Sequence, residues 1–210
     1  MTLQQEANSW LSPKALVTSP APEVGAKAPT SPKLQVPRSN GKPCVVSFLR
    51  HCGCPCKSSI MISKQSLKYI SSVAEKTFDQ LRKAAAKNPH VNFIAISHSS
   101  EEATENWLIA VGGEWDVTVI VNADRELYAQ WGLGISNLWH VLNPWSLYSV
   151  FQLARQEKIT NRPTESGNRW QTSGSFAVDG EGVVRWSKVA NAADEIPDFG
   201  EALKALGNEA

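Results

Sequence analysis

The sequence predicts an α/β domain, a mixed sheet with helices on both faces, preceded by a disordered N-terminal tail. Short Val/Ile-rich runs alternate with amphipathic segments at helical spacing. The last two strand runs are joined by only four residues, so they pair as an antiparallel hairpin. Residues 1–40 hold half of the twelve prolines, among Ser, Thr, Ala and Lys, and follow neither period. A length of 210 residues suits one domain of about 150 residues plus a tail and argues against two full-size domains.

The elements follow in order from residue 41. Cys44-Val45-Val46-Ser47-Phe48-Leu49 is a β-branched and aromatic run of buried-strand type. In 74–86, Ala74, Phe78, Leu81 and Ala85 recur at i, i+4, i+7 and i+11 with charges between them, and Asn88-Pro89 ends the helix. Val91 to Ile96 is a second buried strand. Ser99-Ser100-Glu101-Glu102 then caps a helix that runs to Ala110 and stops at Gly112-Gly113. Asp116 to Val121 is a third strand, and 123–130 a short helix stopped at Gly132. A helix over 144–157 starts on Pro144. Ser175–Val178 and Val183–Trp186 form the hairpin around Asp179-Gly180-Glu181-Gly182, and Asp198 to Leu206 closes the chain as a helix.

Composition narrows the function. The chain is 42% hydrophobic and 20% charged, with 21 Lys and Arg against 20 Asp and Glu, so no basic field invites nucleic acid. The longest weakly charged stretch, Gly132 to Phe151, contains His140, two Asn and Pro144 and does not describe a membrane span. The first residues lack a basic start followed by an apolar core and a small-residue cleavage site. A soluble cytoplasmic protein is expected, without membrane or nucleic-acid partners. All but Trp10 of the eight tryptophans lie between Trp107 and Trp186. Most are expected in the core, with Trp139, Trp145, Tyr148 and Trp170 as candidates to line an apolar pocket. His98 and His140 stand apart from other ligand-type residues and are expected to be structural or exposed.

The four cysteines, Cys44, Cys52, Cys54 and Cys56, crowd one segment and so do not form a secreted disulfide framework. Cys44, inside a strand, is expected to be a small buried apolar residue. Cys54 differs, because a strand leads into Arg50-His51-Cys52-Gly53-Cys54-Pro55 and a helix start follows. The unpaired N–H groups and dipole of a helix N-terminus favour a thiolate, and Arg50 and His51 add positive charge, so Cys54 is a candidate nucleophile. A metal site is the rival chemistry for His51, Cys52, Cys54 and Cys56. Four ligands this close in sequence scarcely wrap one tetrahedron, so no metal and no cofactor are expected.

The run VVSFLRHCGCP together with QTSGSFAVDGEGVVRW resembles the thioredoxin-fold AhpC/TSA-like family, in particular a fungal branch of peroxiredoxin-like and thioredoxin-like proteins, over residues 41–207. The resemblance implies a thioredoxin-like fold. It also implies thiol-dependent oxidoreductase or peroxidase activity, with Cys54 as the nucleophile on a small peroxide or disulfide and an external thiol as reductant. Arg50 and His51 would stabilise the thiolate and Cys52 is a candidate resolving thiol. Two positions depart from the peroxiredoxin pattern: His51 stands where that pattern has Thr, and Ser47 where it has Pro. Lys57 replaces the second cysteine of a thioredoxin-type pair. The alternative is a non-catalytic binding or accessory protein on the same fold, for an apolar ligand or a protein partner.

Residues 56–73 separate Gly-Cys-Pro from Ala74-Glu75-Lys76-Thr77-Phe78, where the resemblance implies a direct run into the helix. Cys56-Lys57-Ser58 can be encoded as U-GUAAGU-CN and Ser72-Val73 as UCAG-UN, the two ends of a translated intron. Its removal would leave one in-frame Phe. The other reading is a genuine insertion.

Overall fold

The computed structural model describes residues 16–50, 73–135, 167, 170–191 and 195–207. Nine elements lie along them: β1 (Cys44–Phe48), α1 (Val73–Lys87), β2 (Asn92–Ser97), α2 (Glu101–Ala110), β3 (Val117–Val121), α3 (Glu126–Gln130), β4 (Gly174–Val178), β5 (Val184–Val189) and α4 (Phe199–Ala205). The strands form one sheet in the order β3-β2-β1-β4-β5. β1 is central, parallel to β2 and antiparallel to β4, and β4 and β5 form the antiparallel hairpin. The expected mixed sheet flanked by helices is thus the observed one. Among the described residues no helix is long and apolar enough to cross a membrane. The helix expected over 144–157, Trp139, His140, Trp145 and Tyr148 lie outside the described residues.

Alternation along β1 divides the core between the two faces of the sheet. Val45 and Leu49 pack with Phe78 and Leu81 of α1, Trp107 of α2 and Leu203 of α4. Cys44, Val46 and Phe48 pack on the opposite face with Ile94, Tyr128 and Trp131. Trp107 and Trp131 are fully buried, as expected of core tryptophans, whereas Trp115 is exposed. The Arg82 guanidinium lies 4.5 Å from the Trp115 ring centre and 5.2 Å from that of Phe78. Arg82 Nη1 donates to the carbonyls of Val111 and Gly113 at 2.7 and 2.8 Å, tying α1 to the turn after α2.

The reading of residues 1–40 as a disordered tail needs correction for residues 16–40; residues 1–15 lie outside the described residues. Leu34 and Val36 are 1% and 3% exposed and belong to the second core. Burying such side chains contributes about 1.5–3 kcal/mol each. The segment also runs as a strap beside the hairpin, where Lys27 bridges to Val183. Gly25 N donates to Val184 O at 2.8 Å, and Val184 N to Ala26 O at 2.9 Å. Nearer its start, Ser19 N donates to Ala129 O at 2.9 Å, in the last turn of α3. The strap's apolar anchors are single residues rather than a periodic face, so composition alone concealed them.

Other boundaries shift by a few residues for local reasons. Ser100 caps α2 by accepting from Ala103 N, and Asp198 caps α4 by accepting from Gly200 N. α3 starts at Glu126 rather than 123, because Arg125 is left-handed (φ 61°) and the Asn122 and Asp124 side chains accept from Leu127 N and Glu126 N.

The hairpin loop is organised by Asp179, whose carboxylate accepts from Val183 N at 2.8 Å, Glu181 N at 3.0 Å and Arg185 Nε at 2.7 Å. Burial pushes the Asp179 pKa up, but these donors outweigh it and hold the carboxyl below its ordinary value. A folded-state pKa below the unfolded one gives stabilisation that is complete above the ordinary carboxylate range and lost as pH falls through the folded value. Asp179→Asn is therefore expected to lower the thermal midpoint at pH 7. The two proteins should converge once pH falls well below about 4. Melting curves at the two pH values test this, and an equal gap at both would contradict it.

Candidate active site

The sheet places the end of its central strand beside the start of α1. β1 leaves the sheet through Leu49 and Arg50, and its exit is held by the Tyr128 hydroxyl, 2.7 Å from Leu49 O and 2.8 Å from Ile96 O. Tyr128 is itself fully buried, its ring edge-on to Phe48 at 5.0 Å and to His98 at 5.3 Å. His98 is 3% exposed, a structural position as expected.

A pocket opens at this exit. Its wall includes Ser47, Leu49 and Arg50 from the end of β1, Val73, Ala74 and Thr77 from the first turns of α1, Ser173 to Ser175 at the start of β4, and Lys188 and Glu195. Arg50 and Val73 therefore border one cavity, although the sequence separates them by residues 51–72. Arg50 is half-buried here. His51, Cys52 and Cys54, expected to act with it, lie outside the described residues, as does Cys56.

The charged lining consists of Arg50, Lys188 and Glu195, a positive balance to which the α1 N-terminus adds its dipole. Lys188 Nζ lies 2.8 Å from Glu195 Oε1, whose other oxygen accepts from Asn191 N at 2.7 Å. The hydrogen bond and charge of Glu195 raise the Lys188 pKa, so the ammonium persists at neutral pH. An anion, including a thiolate, is favoured beside such a wall.

The floor holds two residues that sequence reasoning treated only as strand members. Ser47 and Ser175 are register partners across β1 and β4, 0% and 2% exposed, with their hydroxyls 2.9 Å apart. The signal was a polar residue at an inward position of each apolar run.

Cys44, by contrast, is fully buried on the other face of the sheet. Its thiol lies 3.7 Å from Lys42 O and from Asn92 Nδ2, and burial raises its pKa. It is the apolar structural cysteine expected. Among the described residues no group of His, Cys, Asp and Glu is arranged to hold a metal ion.

A family profile described as AhpC/TSA antioxidant enzyme matches residues 75–191, more than half of the chain. No curated protein matches the sequence. Among solved structures, a peroxiredoxin-like protein from Aquifex aeolicus is similar over 91% of this chain and 90% of its own, with a TM-score of 0.54 and 14% identity. A thiol peroxidase from Chromobacterium violaceum is similar over 92% and 91%, with a TM-score of 0.50 and 13% identity. At these identities the likeness is one of fold, and the fold is thioredoxin-like.

Proposed function

Because the chain belongs to the AhpC/TSA antioxidant enzyme family, we propose that it is a thiol-dependent peroxidase or thiol–disulfide oxidoreductase with Cys54 as its nucleophile. One observation carries this reading: Arg50, four residues before Cys54, and the first residues of α1 border a single positively balanced pocket. A thiol entering that pocket from the Arg50 side gains the α1 dipole and the Arg50 charge, both of which favour thiolate over thiol.

The thiolate attacks the terminal oxygen of a hydroperoxide. A sulfur–oxygen bond forms, the oxygen–oxygen bond breaks, and the alkoxide or hydroxide leaves with the electron pair and takes up a proton. Sulfur is oxidised to a sulfenic acid and the hydroperoxide is reduced to alcohol or water. Arg50 and His51 stabilise the thiolate. The sulfenic acid condenses with a thiol, Cys52 or an external one, to a disulfide with loss of water. External thiol then releases the Cys54 thiol by exchange, the two reducing equivalents leaving as the reductant's disulfide. The likeness in fold to a peroxiredoxin-like protein and a thiol peroxidase supports this class of substrate.

We also propose that 56–73 is an insertion relative to the family pattern, either genuine or a translated intron. The family match begins at residue 75, and the chain on either side of residues 51–72 meets at the pocket.

The test keeps Cys54 as the reactive thiol by replacing Cys52 and Cys56 with Ser and leaving Cys44 buried. Trapping of a sulfenic acid at Cys54 by dimedone after addition of hydrogen peroxide or cumene hydroperoxide is the expected result. No trapping, together with alkylation at an ordinary thiol pKa, would reject the reading in favour of a binding protein.

A further inference from the structure

A pair of serine hydroxyls carries two hydrogens, and a hydrogen bond between them uses one. Ser47 and Ser175, 2.9 Å apart at the floor of the pocket, are such a pair, and either can be the donor. The second hydrogen has no acceptor among the described residues: the mutual bond is the single one that either hydroxyl makes there. Leaving a hydroxyl hydrogen unused in a buried place is unfavourable. Their neighbours along the same face of the sheet, Val45, Leu49 and Ala177, are apolar. Both serines border the pocket, and that is where the spare O–H can find an acceptor.

We infer that the Ser47–Ser175 pair presents a hydrogen-bond donor to the oxygen expelled from the substrate, so that its job is with the leaving group rather than with the thiol. This rests on the thiol peroxidase reading above. During attack on a hydroperoxide the departing oxygen gains negative charge as the oxygen–oxygen bond breaks. A donor held in place at the pocket wall stabilises that charge with little reorganisation. The mutual bond strengthens the donor, since the hydroxyl that accepts within the pair is polarised and donates better onward. No proton need leave serine, because the alkoxide is finally protonated by solvent.

Two rate constants separate this role from a general effect on the thiol. In the protein with Cys52 and Cys56 replaced by Ser, oxidation of Cys54 by cumene hydroperoxide is compared with its alkylation by iodoacetamide, which breaks no oxygen–oxygen bond. The double substitution Ser47→Ala, Ser175→Ala should slow oxidation about tenfold while the alkylation rate and its pH midpoint stay unchanged. Either single substitution leaves one hydroxyl with a free hydrogen, so each should cost less than about threefold. Removing both partners together leaves no orphaned group, and continued protection of Cys44 from alkylation reports that the double variant is folded. Oxidation at the parent rate in the double variant, or a parallel fall in both rate constants, would overturn the inference. A parent Cys54 that reacts with the hydroperoxide no faster than free cysteine would instead overturn the reading on which it rests.

Discussion

Replacing residues 56–73 by a single Phe is expected to leave the fold intact and to lower the alkylation midpoint of Cys54 by about one to two pH units. The reason is geometric. Arg50 and Ala74 border the same pocket, and the remaining links from His51 to Phe still span up to about 25 Å when extended. The shortened chain would read Cys54-Pro55-Phe-Ala74, placing Cys54 at the cap of α1 and Pro55 at its first helical position, where proline is favoured. The thiolate would then face the free N–H groups of a helix that runs on to Lys87. In the chain as given, those groups and Cys54 are far apart in sequence. The measurement is pH-dependent alkylation in both lengths, with Cys52, and Cys56 where present, replaced by Ser. A folded short form whose midpoint stays at the ordinary thiol value of about 8.5 would remove the electrostatic argument for Cys54. A transcript across codons 50–80 that retains these bases as its major form would sink the intron version while leaving the insertion standing.

Gly132→Ala should be among the most destabilising single methyl additions, at about 3 kcal/mol, or about 10 °C in thermal midpoint. Gly132 has φ +75°, and a Cβ there would stand 2.3 Å from Ala21 N and 2.4 Å from Ala21 Cα. These are backbone atoms of the strap, which cannot swing aside as a side chain can. The matched control is Gly207→Ala, with φ +79° and nothing within 4 Å of the new methyl. It should lose only the backbone preference, about 1 kcal/mol. Limited proteolysis adds a second readout, since the Gly132 variant should become cleavable within 16–26 before the sheet unfolds. Equal losses at the two glycines would show that the strap yields freely.

The strands and most helices were legible because each carries its own pattern: an apolar run broken only by Ser47 for β1, and Phe78, Leu81 and Ala85 on one stripe for α1. Asp198 and Ser100 announced their helices by capping chemistry. Three things were hidden for physical reasons. Arg125 takes a left-handed conformation that its residue type does not advertise, which shortens α3. Leu34 and Val36 anchor the strap singly, and a lone apolar residue among prolines has no period to detect. At the site, Arg50 was visible because it adjoins the cysteine motif. Ser175, Lys188 and Glu195 come to the same pocket from far along the chain, and only the pairing of β1 with β4, and of β4 with β5, brings them there.

That pairing also sets the order in which the molecule can assemble. β1, the middle strand, has its antiparallel neighbour in residues 174–178, and Lys27 Nζ donates to Glu181 O at 2.8 Å. A nascent chain thus exposes the strap and central strand early and keeps them waiting until residues 174–184 have emerged from the ribosome. Closing so long a loop is slow relative to local helix formation. In the interval, the apolar face of β1 and its unpaired edge depend on β2 and α1 for cover. The strap and the central strand, made before their partners, are in that sense placed only after the helices that lie between them in the chain.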